Sequence, residues 1–134
     1  LWAQFQSAEL IQKRRGEIWK RYNTELAGWA KGHNIRLPYI PEDCSQPYHM
    51  FYLLMPNLDV RTRFIAYMKE KGILCVFHYL PLHISEMGLK FGGKIGDCPV
   101  TEDISDRLVR LPLFYNMTEG EQDRVIRSAL AFKP

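Results

Sequence analysis

The stretch from Trp2 to Lys31 constrains this chain more than any other. Trp2, Phe5, Ile11, Ile18, Trp19, Tyr22, Leu26 and Trp29 recur near a 3.6-residue period, which predicts one long amphipathic helix over residues 2–31. Gly32, His33 and Asn34 supply its stop. A helix this long carries more apolar surface than a chain of 134 residues easily covers. Trp2 and Phe5 are therefore expected to pack on something outside the chain, and the apolar face around Trp2, Phe5 and Tyr22 to stay uncovered and open to self-association. The abrupt opening at Leu1-Trp2, already inside a helical pattern, predicts a C-terminal piece of a larger enzyme.

Composition narrows the class. Apolar residues make up 46% and charged residues 25%, the balance of a globular chain rather than a disordered one. No run of about eighteen apolar residues occurs, so no transmembrane helix and no membrane partner is expected. The first residues lack the basic stretch, apolar core and small-residue cleavage site of a signal peptide. The net charge is +3, and the tightest basic cluster, Lys13-Arg14-Arg15, spreads over more than half a helix circumference. That is a solvated face rather than a nucleic-acid stripe. Cys44, Cys75 and Cys98 are odd in number, far apart and without a CxxC pair, which suits a reduced, cytoplasmic setting.

Three prolines, Pro38, Pro41 and Pro47, make the stretch after the helix extended and turn-rich. His49 to Met55 reads as a strand closed by Pro56. Asp59 is the expected N-cap of a helix from Val60 to Lys71, with Gly72 as its stop. Ile73 to Tyr79 is the most apolar strand and is expected at the centre of its sheet. Leu80 to Pro99 reads as irregular, Thr101 as the cap of a helix reaching about Val109, and Leu111 to Tyr115 as a short strand or extended piece, placed at an edge by Pro112. Thr118-Glu119-Gly120-Glu121 is a capping box opening a last helix that buries Val125, Ile126, Leu130 and Phe132. The predicted class is α+β: a long N-terminal helix and a small three-stranded sheet, with helices mainly on one face.

Chemistry concentrates in Phe77-His78-Tyr79-Leu80-Pro81-Leu82-His83. An apolar strand runs straight into His78 and Tyr79, then a proline turn, then His83. Strand ends fix side-chain direction, and alternation sends His78 and Tyr79 to opposite faces. A packed histidine and a core aromatic are the plain alternative. A zinc site at His78 and His83 matches no common ligand spacing, so no metal is expected. Cys75 and His78, three residues apart in a strand, face opposite sides and make no nucleophile–base pair. Gly92-Gly93-Lys94-Ile95-Gly96 lacks the flanking strand and helix of a phosphate loop and reads as a flexible surface loop. Tyr115 and Asn116 end an apolar run just before the capped helix, where an edge strand and a turn is the bland reading.

Together, His49-Met50-Phe51-Tyr52, the helix into Lys71-Gly72-Ile73, Val76-Phe77-His78-Tyr79-Leu80-Pro81-Leu82-His83, Thr101 to Arg107, and Arg110-Leu111-Pro112-Leu113-Phe114-Tyr115-Asn116-Met117-Thr118 resemble, in order and spacing, the C-terminal region of the DegT/DnrJ/EryC1/StrS family of pyridoxal-phosphate-dependent nucleotide-sugar aminotransferases. The combination of His-Tyr-x-Pro-Leu-His with Leu-Pro-Leu-Phe-Tyr-Asn is more specific than either alone. The resemblance implies the small domain of a fold-type I aminotransferase over residues 1–134, with residues 1–33 a connecting helix and the large cofactor-binding domain absent. It implies amino transfer, typically from glutamate, to a nucleotide-linked 4-keto-6-deoxy sugar in surface-polysaccharide synthesis. The cofactor would be pyridoxal 5'-phosphate in the full enzyme, with none bound by these residues alone, and the assembly a homodimer. His78, Tyr79 and His83 would line or support the sugar side of the cleft, with Tyr115 and Asn116 at or near its rim. None of the eight lysines occupies a strand-end context suited to a Schiff base, and Lys90 and Lys94 lie in the glycine-rich loop. These residues alone are then expected to be inactive. Two other readings stay open: a free-standing module that binds a nucleotide sugar or a protein, and a purely structural oligomerisation piece.

Overall fold

The computed structural model describes residues 2–134, except for the side chains of Ala3 and Gln4. Along the chain run α1 (Trp2–Phe5), α2 (Ala8–Gly32), β1 (Phe51–Leu54), α3 (Leu58–Glu70), β2 (Val76–Phe77), a 3-10 turn (Leu82–Ile84), α4 (Glu86–Lys90), α5 (Pro99–Arg107), β3 (Leu108–Leu111) and α6 (Glu119–Ala131). The three strands form one antiparallel sheet in the order β1-β3-β2.

The N-terminal helix is broken rather than continuous. Gln6 and Ser7 make a turn between α1 and α2, and no side chain caps α2. The buried positions of α2 start only at Gly16, so nothing in the core holds the first two turns in line. Trp2 is 77% exposed and Phe5 71% exposed.

From Gly16 onward α2 lies in the core. Ile18, Trp19, Tyr22, Leu26 and Trp29 face inward. Phe51 of β1 meets Trp19 and Tyr22 at ring-centroid distances of 5.4 and 5.3 Å. Phe64 of α3 meets Phe132 edge-on at 5.2 Å, and the Trp29 indole N–H donates to the Phe132 carbonyl at 3.2 Å. The buried amide of Gln122 in α6 donates to the Ile18 carbonyl at 2.7 Å, satisfying a polar group the core would otherwise penalise. The Tyr22 hydroxyl donates to the Pro112 carbonyl at 2.9 Å, and burial pushes that phenol well above its usual pKa.

Several boundaries differ from expectation for local reasons. Asn57, not Asp59, caps α3, its side chain accepting from the Val60 N–H at 2.9 Å; Asp59 instead pairs with Arg63 one turn on. Cys98, not Thr101, precedes α5, because Pro99 takes the first helical position, where its missing N–H costs nothing. The Ile73–Tyr79 run is not the central strand: only Val76 and Phe77 join the ladder, at an edge. The centre belongs to Leu108–Leu111, which ends where Pro112 has no N–H to donate. The segment from Leu80 to Pro99 holds a 3-10 turn and a short helix capped by Ser85. Leu130 of α6 is exposed rather than buried. The α+β architecture itself is as expected.

Register explains where a site can form. Phe51 opposes Leu111, Leu53 opposes Val109, and all four are buried under the helices. Tyr52 opposes Arg110, and Arg110 opposes Val76, so these three share the other face. None of the three is buried.

Candidate functional site

The uncovered face of the sheet holds the first group of candidates. The ladder ends at Phe77, so alternation does not extend to His78 and Tyr79, and the two do not diverge as a continuous strand would require. Their rings meet edge-to-face with centroids 4.7 Å apart. The Arg110 guanidinium lies over the Tyr79 ring, 5.7 Å from its centroid, a cation–π contact. The His78 Nδ1 and the Arg110 Nε are both buried without a hydrogen-bond partner. Burial, followed by the charges of Arg110 and His49, holds the His78 imidazole below its usual pKa. A neutral imidazole beside a guanidinium resists protonation and can accept a hydrogen bond.

Behind His78 and Tyr79 opens a cleft of about 380 Å³. Leu80–Leu82 form one wall and Val100, Ile104 and Ser105 of α5 the other. Its lining is mainly apolar, suited to the face of a ring rather than to a highly charged group. Two ties join the walls. The Ser105 hydroxyl donates to the Tyr79 carbonyl at 2.9 Å. The other tie converges on one oxygen, Glu102 Oε1, which lies 2.7 Å from His83 Nε2 and accepts from the Gly96 N–H at 2.9 Å and the Cys98 N–H at 3.4 Å. Hydrogen bonding to His83, then to Gly96, holds the Glu102 carboxyl below the ordinary carboxylate range. His83 therefore faces Glu102 and braces the cleft from behind.

The glycine-rich segment is tighter than a free loop. A Cβ on Gly88 would stand 2.0 Å from the Leu82 carbonyl oxygen, and one on Gly93 2.3 Å from that of His83. The backbones pack directly on each other here, and Gly93 N–H donates to the Gly88 carbonyl at 3.0 Å.

Tyr115 and Asn116 stand elsewhere. They line a separate cavity of about 480 Å³ with Leu10, Lys13, Arg14 and Glu17 of α2. Arg14 donates to the Met117 carbonyl at 2.6 Å and fixes that turn to the helix. This cavity shares no lining residue with the His78 cleft. The five candidate residues thus fall into two groups, His78, Tyr79 and His83 in one and Tyr115 and Asn116 in the other. Cys75 is buried with its thiol pushed up to about 12, the opposite of an activated nucleophile. Among the described residues no group of three or more His, Cys, Asp or Glu could hold a metal ion. No described helix is long and apolar enough to cross a membrane.

Two residues, Glu102 and Arg110, lie inside the segments that carry the resemblance without standing out there as site residues. Arg110 is a lone charge inside the apolar run Leu108–Leu113, a visible signal once the strand is placed correctly. Glu102 has no such signal, because its three donors come from a turn, a loop and a helix start that only the fold brings together.

Residues 1–130 match the model of the DegT/DnrJ/EryC1/StrS aminotransferase family. The chain belongs to that family. An uncharacterised protein of Methanocaldococcus jannaschii is 33% identical over 130 residues, covering 93% of this chain and 33% of the relative. The spore coat polysaccharide biosynthesis protein SpsC of Bacillus subtilis is 28% identical over 123 residues, covering 88% of this chain and 31% of the relative. The crystal structure of NtdA from Bacillus subtilis with bound cofactor PMP is 27% identical, with a TM-score of 0.77, covering 89% of this chain and 27% of that one. The chain spans about a third of the length of the curated relatives it matches.

The family resemblance implies pyridoxal phosphate, and the residues present can be tested for it. All eight lysines are exposed. None is withdrawn from solvent, the setting that frees a lysine amine for a carbonyl.

Proposed function

We propose that this chain is the C-terminal, small domain of a longer pyridoxal-phosphate-dependent aminotransferase that moves an amino group, typically from glutamate, onto a nucleotide-linked 4-keto-6-deoxy sugar. Residues 1–33 would connect it to a large domain that carries the cofactor lysine. The observation that carries this reading is the family match over residues 1–130, together with a mainly apolar cleft beside the unpartnered His78. His78 and Tyr79 would present the polar edge of the sugar site, and the leucines behind them its apolar floor. His83 would act through Glu102 by holding the cleft walls in place. Tyr115 and Asn116, in a cavity of their own, would brace the rim against α2 rather than touch the same ligand.

The name of the Bacillus subtilis relative supports polysaccharide synthesis as the setting. The motifs His78-Tyr79-Leu80-Pro81-Leu82-His83 and Leu111-Pro112-Leu113-Phe114-Tyr115-Asn116 support the finer reading: amino transfer of the kind that makes dTDP-4-amino-4,6-dideoxygalactose for a cell-surface polymer such as enterobacterial common antigen or lipopolysaccharide. The enzyme would work as a cytoplasmic homodimer.

The test is chemical. The full-length gene product should bind pyridoxal phosphate, and borohydride reduction followed by peptide mapping should place the cofactor on a lysine outside residues 1–134. It should then convert a dTDP-4-keto-6-deoxyhexose to the amino sugar with glutamate as donor. A reduced cofactor on one of the eight lysines here, or no cofactor at all, would overturn the reading.

A further inference from the structure

We propose that the face of the sheet opposite the packed core carries a seat for a small oxyanion, a carboxylate or a phosphate, formed by Arg110 with His49 and reported by His78 beside it. The proposal goes beyond the aminotransfer reading and does not depend on it.

Four observations converge. First, a charged side chain stands on the central strand, on the face opposite the packed core, where Arg110 opposes Tyr52 on one side and Val76 on the other. Second, it is left without the partner such a group normally has: none of the seven ion pairs among the described residues includes Arg110, and its Nε is buried and unbonded. A buried unpaired donor is expensive, and an incoming acceptor relieves that cost. Third, the guanidinium is oriented but not used up. The Tyr79 ring holds the guanidinium with its Cζ 5.7 Å from the centroid and takes none of its N–H donors, which can grip an oxyanion in pairs of hydrogen bonds. Fourth, there is room: an open pocket of about 250 Å³ is lined by Arg110 and His49 with Val76 and Leu113, while His78 lines the separate cleft beside Tyr79.

The surrounding charges agree in sign. The charges of Arg110 on β3 and of His49 ahead of β1 both act on His78, whose ring meets that of Tyr79; Tyr52 shares the sheet face with Arg110. These groups are cationic or neutral. That environment disfavours a protonated His78 while the seat is empty, and an anion reverses it, so binding should bring proton uptake at His78.

Nuclear magnetic resonance titration of the four histidines, with His78 assigned by H78N, reads this directly. The probes are 2-oxoglutarate as a dicarboxylate, inorganic phosphate, and chloride at matched ionic strength. Saturating oxyanion should raise the His78 midpoint by about one pH unit or more, while chloride leaves it in place. A response to 2-oxoglutarate alone assigns the seat to a carboxylate, a response to phosphate alone to a phosphoryl group, and either supports it. R110Q should weaken binding on the order of tenfold and, with no ligand present, should itself raise the His78 midpoint. R110K keeps the charge over Tyr79 but loses the fork, and should also bind more weakly, which keeps the test available should R110Q fail to fold. No shift with either oxyanion, an equal shift with chloride, or unchanged affinity in R110K or R110Q would overturn the proposal.

Discussion

The two faces of the sheet are held by different physics. On the helix-covered face, Phe51, Leu53, Val109 and Leu111 interlock with the aromatic residues of α2 and with α3, and their cohesion comes from area removed from water. On the open face and in the segment from Leu80 to Pro99, large apolar side chains remain in solvent: Leu82 and Phe91 are each 85% exposed. Order there comes from a few directed contacts, chiefly the convergence on Glu102, the Ser105 tie and the glycine backbone packing. Damage to the covered face should therefore be felt everywhere, and damage to the open side only locally.

The largest effect is expected from Phe51→Ala. Phe51 is fully buried between Trp19 and Tyr22, so truncation leaves a cavity beneath the sheet and should cost about 3–5 kcal/mol, read from chemical denaturation. A loss below about 1 kcal/mol would mean that the helices collapse onto the gap, and that the covered face is less jigsaw-like than the ring contacts imply. A smaller effect follows from Thr118→Ala. The Thr118 hydroxyl accepts from the Glu121 N–H at 3.2 Å while the Glu121 carboxylate accepts from the Thr118 N–H at 2.8 Å. Removing that hydroxyl should cost about 1 kcal/mol, and the loss should be global because α6 packs on α2.

The same contrast explains what could be read from the amino acids alone. Covered elements announce themselves by periodicity: α3, the buried half of α2 and the capping box of α6 are all legible, because hydrophobic spacing and caps are local signals. Ile73–Tyr79 is richer in apolar residues than Leu108–Leu111, yet it supplies the edge strand and Leu108–Leu111 the centre. Position in a sheet depends on which strand finds partners on both sides, and that is not local. Alternation along Ile73–Tyr79 predicts diverging side chains at His78 and Tyr79, but the strand ends at Phe77 and their rings meet instead. Tyr115 and Asn116 were grouped with them because they lie in one family motif set, whereas the turn at Phe114–Met117 is tied to Arg14 on the far side.

The sharpest test of the contrast is also the one with the smallest global effect. Glu102→Gln keeps an oxygen that can still accept from Gly96 and Cys98, but it removes the negative charge beside His83. Amide exchange at Gly96 and Cys98 should accelerate, while exchange at Leu53 and Val109, under the helices, should be unchanged. Acid should reproduce the effect in the unaltered protein. The folded-state pKa of Glu102 is lowered from an ordinary 4.5, so its contribution is fully present above that value and is lost as the pH falls through the lower folded one. Loosening at Gly96 should therefore appear only on the acid side of 4.5 and should be blunted in Glu102→Gln, which has no carboxylate left to protonate. If Gly96 and Val109 lost protection together, in acid or in the variant, the two faces would be one cooperative unit, and the division between a packed side and a tethered side would fall.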